Sequence, residues 1–489
     1  MMTTSLSYIK LQMERLEGLM DRIVKQRKAL ISRVHHDQRI ALTNLLRYLV
    51  LRTEDIRDLQ DKLHIHGLSS MASAESHILS QMQAILQRLG KTYRSSELDP
   101  CTHDYSKKEI ERKSEKLFGK KHDRGIPHIM VTFDGAFADQ YDTIKKLLLQ
   151  GMNVARINCA HDDEATWVKM LLHIKRASKE TGLSCKIYMD LAGPKIRTQF
   201  LGKGKKEGRV KIREDELIWM ADDTEKLNKK DIILGTTVKG IVPELKVGQQ
   251  VLIDDGLIKG IIEKKTKHAA GLRILKIAGK KNILKAEKGI NFPDSNLSIQ
   301  AITDYDKVCL PFICKHADLV GYSFVRTPED LAYLKQSLDA ISSKPPCIII
   351  KIETPDAVKN LPALLIRGME QGVFGVMIAR GDLAVEIGFE RMGEIQEEIL
   401  WICESAHTPV VWATQVLENL NKTGIATRSE ITDVAHAAMA ECVMINKGNH
   451  TIEVISVLKD ILSRIGGHHI KKRFTFRPLK IASHYIGVT

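Results

Sequence analysis

Apolar residues in the first 90 positions recur with helical spacing. Ile9, Leu16, Ile23 and Leu30 lie seven apart, Met13, Met20 and Val34 fall on the interleaved series, and Arg27 is its one polar break. Such a repeat lines up one narrow seam along a helix, suited to a hairpin or a short coiled coil. Two further helices are predicted over 38–51 and 78–89, the latter carried by Ile78, Met82, Ile85 and Leu89 and closed by Gly90. Residues 1–90 therefore read as a helical module whose seam suggests packing or oligomer contact rather than chemistry. Residues 91–125 are polar and charged and read as a linker with one short helix over 107–117.

Beyond 125 the texture changes. Short apolar runs at 128–132, 153–158, 186–190, 319–324, 347–353, 375–379, 409–414 and 442–446 alternate with stretches of helical pattern, except directly after the third. Alternation of this kind predicts parallel βαβ units, and eight of them predict an α/β fold with a closed (β/α)8 TIM barrel, built from 126–198 and 288–465. In 199–287 the helical signal fades and β-type runs appear at 210–212, 250–253, 257–262 and 273–277. An inserted small β-domain is expected, overhanging the C-terminal mouth where barrel enzymes keep their active sites. Residues 466–489 read as a C-terminal tail.

Composition narrows the class. A chain of 489 residues suggests roughly three domains, and 43% apolar content is enough for ordinary cores. No apolar run approaches the roughly 18–20 residues of a membrane span, and Met1–Glu14 lacks a secretory apolar stretch. A cytoplasmic protein without a membrane partner is expected. The eight cysteines form no Cys-x-x-Cys pair and no zinc spacing, so they read as buried thiols in a reducing compartment. The net charge of +14 suits a polyanionic partner, and 21 basic against 13 acidic residues fall between Leu201 and Lys288. Trp219 is the only aromatic residue in that stretch, so stacking platforms for bases are missing and no nucleic-acid partner is expected.

Polar residues at i and i+2 near the end of a strand point to the same side. Arg156 with Asn158, Lys351 with Glu353, and Arg380 with Asp382 all show this spacing. Any single pair could be a buried ion pair of the core, but three at one mouth favour a site. Glu353 and Asp382 could hold one hard divalent cation, magnesium or manganese, with water and substrate oxygens completing its shell. Arg156, Arg197 and Lys288 could neutralise a phosphate, and Lys351 could stabilise an enolate oxygen.

At these residues the chain resembles the pyruvate kinase family. The likeness runs from about Pro127 to Ile465 and includes Gly-Met-Asn-Val-Ala-Arg-Ile-Asn at 151–158, Gly-Pro-Lys-Ile-Arg at 193–197 and Ile-Asp-Asp-Gly-Leu-Ile at 253–258. It continues with Lys-Gly-Ile-Asn-Phe-Pro at 288–293, Lys-Ile-Glu at 351–353, Ala-Arg-Gly-Asp-Leu-Ala-Val-Glu at 379–386 and Ala-Thr-Gln-Val-Leu-Glu at 413–418. The resemblance implies a glycolytic enzyme that transfers a phosphoryl group from phosphoenolpyruvate to ADP, giving pyruvate and ATP through an enolate. It implies that Lys351 polarises the enolate, that Glu353 and Asp382 bind magnesium, and that Arg156 and Lys288 grip the phosphoryl group. Thr414 would line the pyruvate pocket and help deliver a proton. Gly381 and Asp382 would offer backbone amides to the substrate carboxylate, as the start of a helix can. Asn158 and Arg197 belong to the phosphate and nucleotide environment, and His161 matches a histidine near the nucleotide.

The chain also departs from the family. Where the family binds potassium with Asn158, Asp190 and two hydroxyl residues, this chain carries Ala160 and Leu191 at the hydroxyl positions, and Lys195 where potassium-dependent members have a glutamate. Potassium is therefore expected to be dispensable, its charge replaced by Lys195. Asn446-Lys447-Gly448-Asn449 replaces a nucleotide loop, and Asp134-Gly135 replaces a Gly-Pro turn. Only about 24 residues follow Ile465, too few for the family's effector domain, so no sugar-phosphate activation is expected. The Gly67-Leu-Ser-Ser-Met and Ala74-Glu-Ser-His-Ile runs are similar to extensions on short, divergent relatives. A homo-oligomer is expected, with a dimer favoured and the 9–34 seam as reinforcement. The alternatives are a catalytically weak binding or regulatory relative, or another magnesium-enolate barrel enzyme of the phosphoenolpyruvate/pyruvate class.

Overall fold

Eight parallel strands close a barrel in sequence order: His128–Phe133, Val154–Asn158, Lys186–Asp190, Leu319–Tyr322, Cys347–Ile352, Gly375–Ala379, Val410–Ala413 and Cys442–Ile445. The first strand pairs with both the second and the eighth, which removes every open edge. The computed structural model describes residues 2–123, 125–224, 227–278, 282–295, 297, 299–466, 469–470 and 473–474. The tail expected over 466–489 lies almost wholly outside the described residues.

Side-chain alternation divides each strand into an outward series and an inward one. Outward residues such as Ile129, Val131, Ile157, Ile350 and Ile378 pack under the surrounding helices in the main core. The inward series changes character along the barrel axis. Val154, Tyr188, Ile349, Met377 and Val411 fill the lower layer, while Arg156, Asp190 and Lys351, each two positions further along the chain, crowd the upper one. Polar side chains are thus concentrated at the C-terminal mouth.

Two antiparallel stretches lead out of the barrel and back. Arg197 forms a bridge with Gly289, and Thr198 N–H donates to the Lys288 carbonyl. Between them lies a β-domain with its own core of Ile218, Met220, Leu234, Val251, Ile262 and Leu272. Its main sheet has seven strands. Four of these, Thr198–Phe200, Leu217–Ala221, Ile233–Thr236 and Ile290–Asn291, lie outside the runs that the sequence pattern predicts. Acidic residues and lysines around them mask the short apolar alternation.

The N-terminal region corrects two expectations. Helices Met2–Gln26, Arg39–Leu51, Arg57–Ile65 and Ile78–Arg88 fold back on one another, and Ile9, Met13, Leu16 and Met20 are buried among Leu51, Leu63, Ile78, Met82 and Leu86. Val34 instead joins the barrel core. The seam is therefore consumed within the chain and is not available to reinforce a dimer. Its periodicity could not show this, because an intramolecular and an intermolecular partner demand the same spacing.

The second correction concerns the linker. His103–Phe118 is a 16-residue helix, capped by the Thr102 hydroxyl, and its last turn drives Leu117 and Phe118 into the bottom of the barrel, both fully buried against Met130, Ile349, Met377 and Val411. Only that tip needs to be apolar, so the helix as a whole reads as polar. Asn44 ties the module to the barrel, donating to the carbonyls of Glu75 and Ser405 at 2.8 Å each. Among the described residues no helix is long and apolar enough to cross a membrane.

Candidate active site

Register brings the charged residues together. Arg156 lies opposite Tyr188 and Asn158 opposite Asp190 on the second and third strands, and Gly321 of the fourth strand lies opposite Asp190. Asp190 is the hub. Its Oδ2 accepts from Arg156 Nε at 3.1 Å, from Arg156 Nη2 at 2.5 Å and from Lys351 Nζ at 3.2 Å. Lys351 also bridges to Glu353 Oε1 at 2.9 Å and donates to Ser323 Oγ at 2.7 Å. Glu353 Oε2 accepts from the Phe324 amide at 2.7 Å.

Burial and charge compete across this network. Desolvation works against the charge on Arg156 and on Lys351, yet Asp190 and its neighbours outweigh it, so both cations are held above their ordinary pKa. Burial likewise opposes the Asp190 carboxylate, but Lys351 and Arg156 keep it below the usual range. Glu353 goes the other way. Desolvation raises its pKa, Lys351 only partly offsets this, and the neighbouring Asp382 carboxylate raises it further. Glu353, with the Asp382 carboxylate near enough to raise its pKa, makes a hard, anionic donor pair that fits a divalent cation. Burying such charges is costly for folding, so the cluster is better explained by chemistry than by stability.

Asp382 does not sit on a strand. Arg380–Ile387 is a helix that starts directly after the sixth strand, so the i and i+2 argument for Arg380 and Asp382 fails. Arg380 turns away from the mouth, donating to the carbonyls of Ala413 at 2.8 Å and Thr414 at 2.6 Å and pairing with Asp433. It holds a strained turn in which Thr414 (φ 72°) and Gln415 (φ 59°) are both left-handed. Gly381 is needed at this approach, because a Cβ there would stand 2.7 Å from Thr414 Cγ2.

The other expected residues are arranged around the hub rather than in it. Lys195 Nζ lies 2.7 Å from Asp382 Oδ1, so its ion partner is Asp382 and not Asp190. Lys288 pairs with Asp254 of the inserted domain at 2.8 Å, and Arg197 donates to the Glu287 carbonyl at 3.2 Å. Asn158 Oδ1 accepts from the Ala160 amide at 3.0 Å. Leu191 is buried and offers no side-chain oxygen, and its carbonyl accepts from Ser323 Oγ at 2.7 Å. Desolvation, then the charges of Lys447 and Arg197, lower the pKa of His161.

Four residues of this region escaped the reading of the sequence. Ser323 closes on Lys351, Tyr188 on Asp190, and Glu386 accepts from Asn291 Nδ2 at 2.7 Å on the wall of a cleft of roughly 250 Å³ that Lys195 and Asp382 also line. Lys447 supplies positive charge from the replaced loop. The i and i+2 rule would have found Tyr188 and Asp190, which share the inward face of the third strand. Nothing in the local pattern marks Lys447.

A family model described as the pyruvate kinase barrel domain matches residues 127–453. The pyruvate kinase of Thermotoga maritima is 31% identical over 354 residues, which covers 71% of this chain and 72% of the relative. That of Clostridium perfringens is 33% identical over 63% of this chain and 62% of its own length, and that of Geobacillus stearothermophilus is 30% identical over 68% and 55%. The chain therefore spans between about half and three quarters of the relatives it matches. Among solved structures, a pyruvate kinase from Cryptosporidium parvum superposes with a TM-score of 0.62 at 25% identity, covering 72% of each chain. With the closed barrel, the inserted β-domain and the buried charge cluster at its mouth, these matches establish that the chain belongs to the pyruvate kinase family.

Proposed function

We propose that the chain is a working pyruvate kinase, transferring the phosphoryl group of phosphoenolpyruvate to ADP to give pyruvate and ATP. The observation that carries this reading is the buried cluster of Arg156, Asp190, Lys351 and Glu353 with Asp382 beside it. In the reaction, a terminal oxygen of ADP attacks phosphorus while the bond to the substrate oxygen breaks, leaving its electron pair on an enolate oxygen. Arg156, with Lys288 and Arg197 at the hinge of the inserted domain, neutralises the phosphoryl group. Lys351 stabilises the enolate oxygen, and Thr414 helps deliver the proton that the methylene carbon then takes up. Gly381 and Asp382 present amides to the substrate carboxylate. Glu353 and Asp382 would hold magnesium, or manganese in its place, which supplies positive charge to the oxygens in transit. Arg197, His161 and Lys447, near enough for the two cations to act on the imidazole, would serve the nucleotide.

Potassium is not needed in this reading. Asn158 Oδ1, Asp190 and the Leu191 carbonyl, the oxygens that would hold it, all have protein donors. Lys195 adds a fixed charge at the metal end, against Asp382. No disulfide joins any of the eight cysteines, which fits the cytoplasm as its compartment. For a homodimer the exposed apolar residues of the barrel's outer helices, such as Leu172 and Val308, replace the seam as the candidate contact.

A coupled assay with phosphoenolpyruvate and ADP or GDP, with magnesium varied and potassium replaced by tetramethylammonium, tests the whole reading. Turnover no higher than that of a Lys351→Met control overturns it. Strong activation by potassium, or a Lys195→Glu variant with parental activity in its absence, overturns the potassium part alone.

A further inference from the structure

We propose that Tyr188 is a positioning residue that locks the Asp190 carboxylate between Arg156 and Lys351 and occupies the place at Asp190 that a monovalent cation would take. The proposal rests on the phosphotransfer reading above, and it concerns a residue two positions before Asp190 on the same inward face.

The two oxygens of Asp190 are used very differently. Oδ2 receives the charged donors of Arg156 and Lys351, whereas Oδ1 accepts from the Tyr188 hydroxyl at 3.1 Å. Tyr188 is fully buried in the barrel interior, and its hydroxyl donates to a carboxylate that has no proton to give. With Oδ1 fixed by a neutral donor, Oδ2 cannot rotate out of the fork formed by the two cations. Both positive groups are then held where phosphoryl and enolate oxygens must pass.

A second observation shows that the fold reserves room for this contact. Gly321 faces Asp190 from the fourth strand, and a Cβ at that position would come within 2.0 Å of the Tyr188 hydroxyl oxygen and 2.2 Å of Asp190 Oδ1. Glycine is a poor choice for the middle of a strand on conformational grounds, so its presence marks a close approach. Here the approach is that of the phenol and the carboxylate.

The neighbouring oxygens complete the argument. Asn158 Oδ1 is held by the Ala160 amide and the Leu191 carbonyl by Ser323, and a leucine side chain has no oxygen to give. Of these oxygens only Asp190 Oδ1 belongs to a carboxylate, the strongest draw for a monovalent cation, and the Tyr188 O–H dipole lies against it. The cluster is assembled without an ion because Tyr188 does the ion's positioning.

Tyr188→Phe removes the hydroxyl and leaves the ring. In tetramethylammonium buffer we expect kcat for phosphoenolpyruvate and ADP to fall about tenfold while the KM for phosphoenolpyruvate changes less than about threefold. Added potassium should restore much of kcat in the variant and none in the parent. Direct binding gives a readout that does not depend on turnover: thallium(I), a potassium analogue followed by thallium NMR, should bind Tyr188→Phe more tightly than the parent. Parental kcat in tetramethylammonium, a loss that potassium leaves unchanged, or equal thallium binding by the two proteins would each overturn the proposal. An inactive parent would sink the phosphotransfer reading instead, and the thallium comparison would still decide the role of Tyr188.

Discussion

The two ends of the barrel bury charge in opposite ways. At the mouth, Arg156, Asp190, Lys351 and Glu353 neutralise one another across three strands, with Asp382 held just outside. At the floor, the tip of the helix His103–Phe118 fills the barrel with apolar side chains, and Lys113 of the same helix rests its ammonium on Gln38 Oε1 at 2.7 Å with Glu109 Oε1 3.6 Å away. One end spends folding energy to hold reactive groups apart from water. The other recovers it through dispersion and apolar burial. Substitutions at the two ends should therefore separate activity from stability.

The largest separation is expected at Glu353. Glu353→Gln keeps the shape and one of the two accepted bonds but removes a hard anionic ligand, so magnesium-supported kcat should drop at least about a thousandfold while the thermal midpoint falls by no more than a few degrees. Near-normal turnover would break the contrast by removing the mouth's claim to the metal. Phe118→Ala should do the reverse. Emptying a fully buried ring at the floor should cost about 3–5 kcal/mol of stability and leave the KM for phosphoenolpyruvate within about twofold. A stable variant with lost activity would show that the floor reaches the chemistry after all.

Lys113 sharpens the comparison further. Burial pulls its pKa down to about 8, with Glu109 only partly compensating. An unfolded lysine titrates near 10.4, so between about pH 8 and pH 10 the unfolded chain binds a proton that the folded chain has lost. Stability contributed by this site should rise with pH across that window. Lys113→Met should flatten the rise and stabilise the joint between module and barrel at pH 7 by about 1–2 kcal/mol, as measured by thermal melts at several pH values. A destabilised variant would mean that the bond to Gln38 outweighs the desolvation of the ammonium.

The smallest effect is expected at the rim. Arg33 and Glu370 join the module to the barrel surface at 3.0 Å, with the arginine largely exposed. Arg33→Ala should change stability by less than about 1 kcal/mol, because solvent and salt screen such a pair.

The order and spacing of elements were legible because strand and helix periods are local properties. The eight apolar runs mark the eight barrel strands, and Lys351 and Glu353, two apart at a strand end, had to share a face. Arg380 and Asp382 have the same spacing, yet Arg380–Ile387 is a helix, so the inference from spacing failed where the secondary structure differed. The seam of Ile9, Met13, Leu16 and Met20 was equally legible, but not its partner, since helices of the same chain meet the same geometric requirement as a second copy.

What the sequence determined by itself, then, is which side chains face inward and which elements alternate, since these follow from periods of two and of three to four residues. Tertiary structure alone decided which oxygen of Asp190 meets which donor, that Lys195 would reach Asp382, and that a polar helix would plug the barrel. Those outcomes depend on strand register, on the absence of a side chain at Gly321 and on the closure of the barrel, which join residues more than a hundred positions apart.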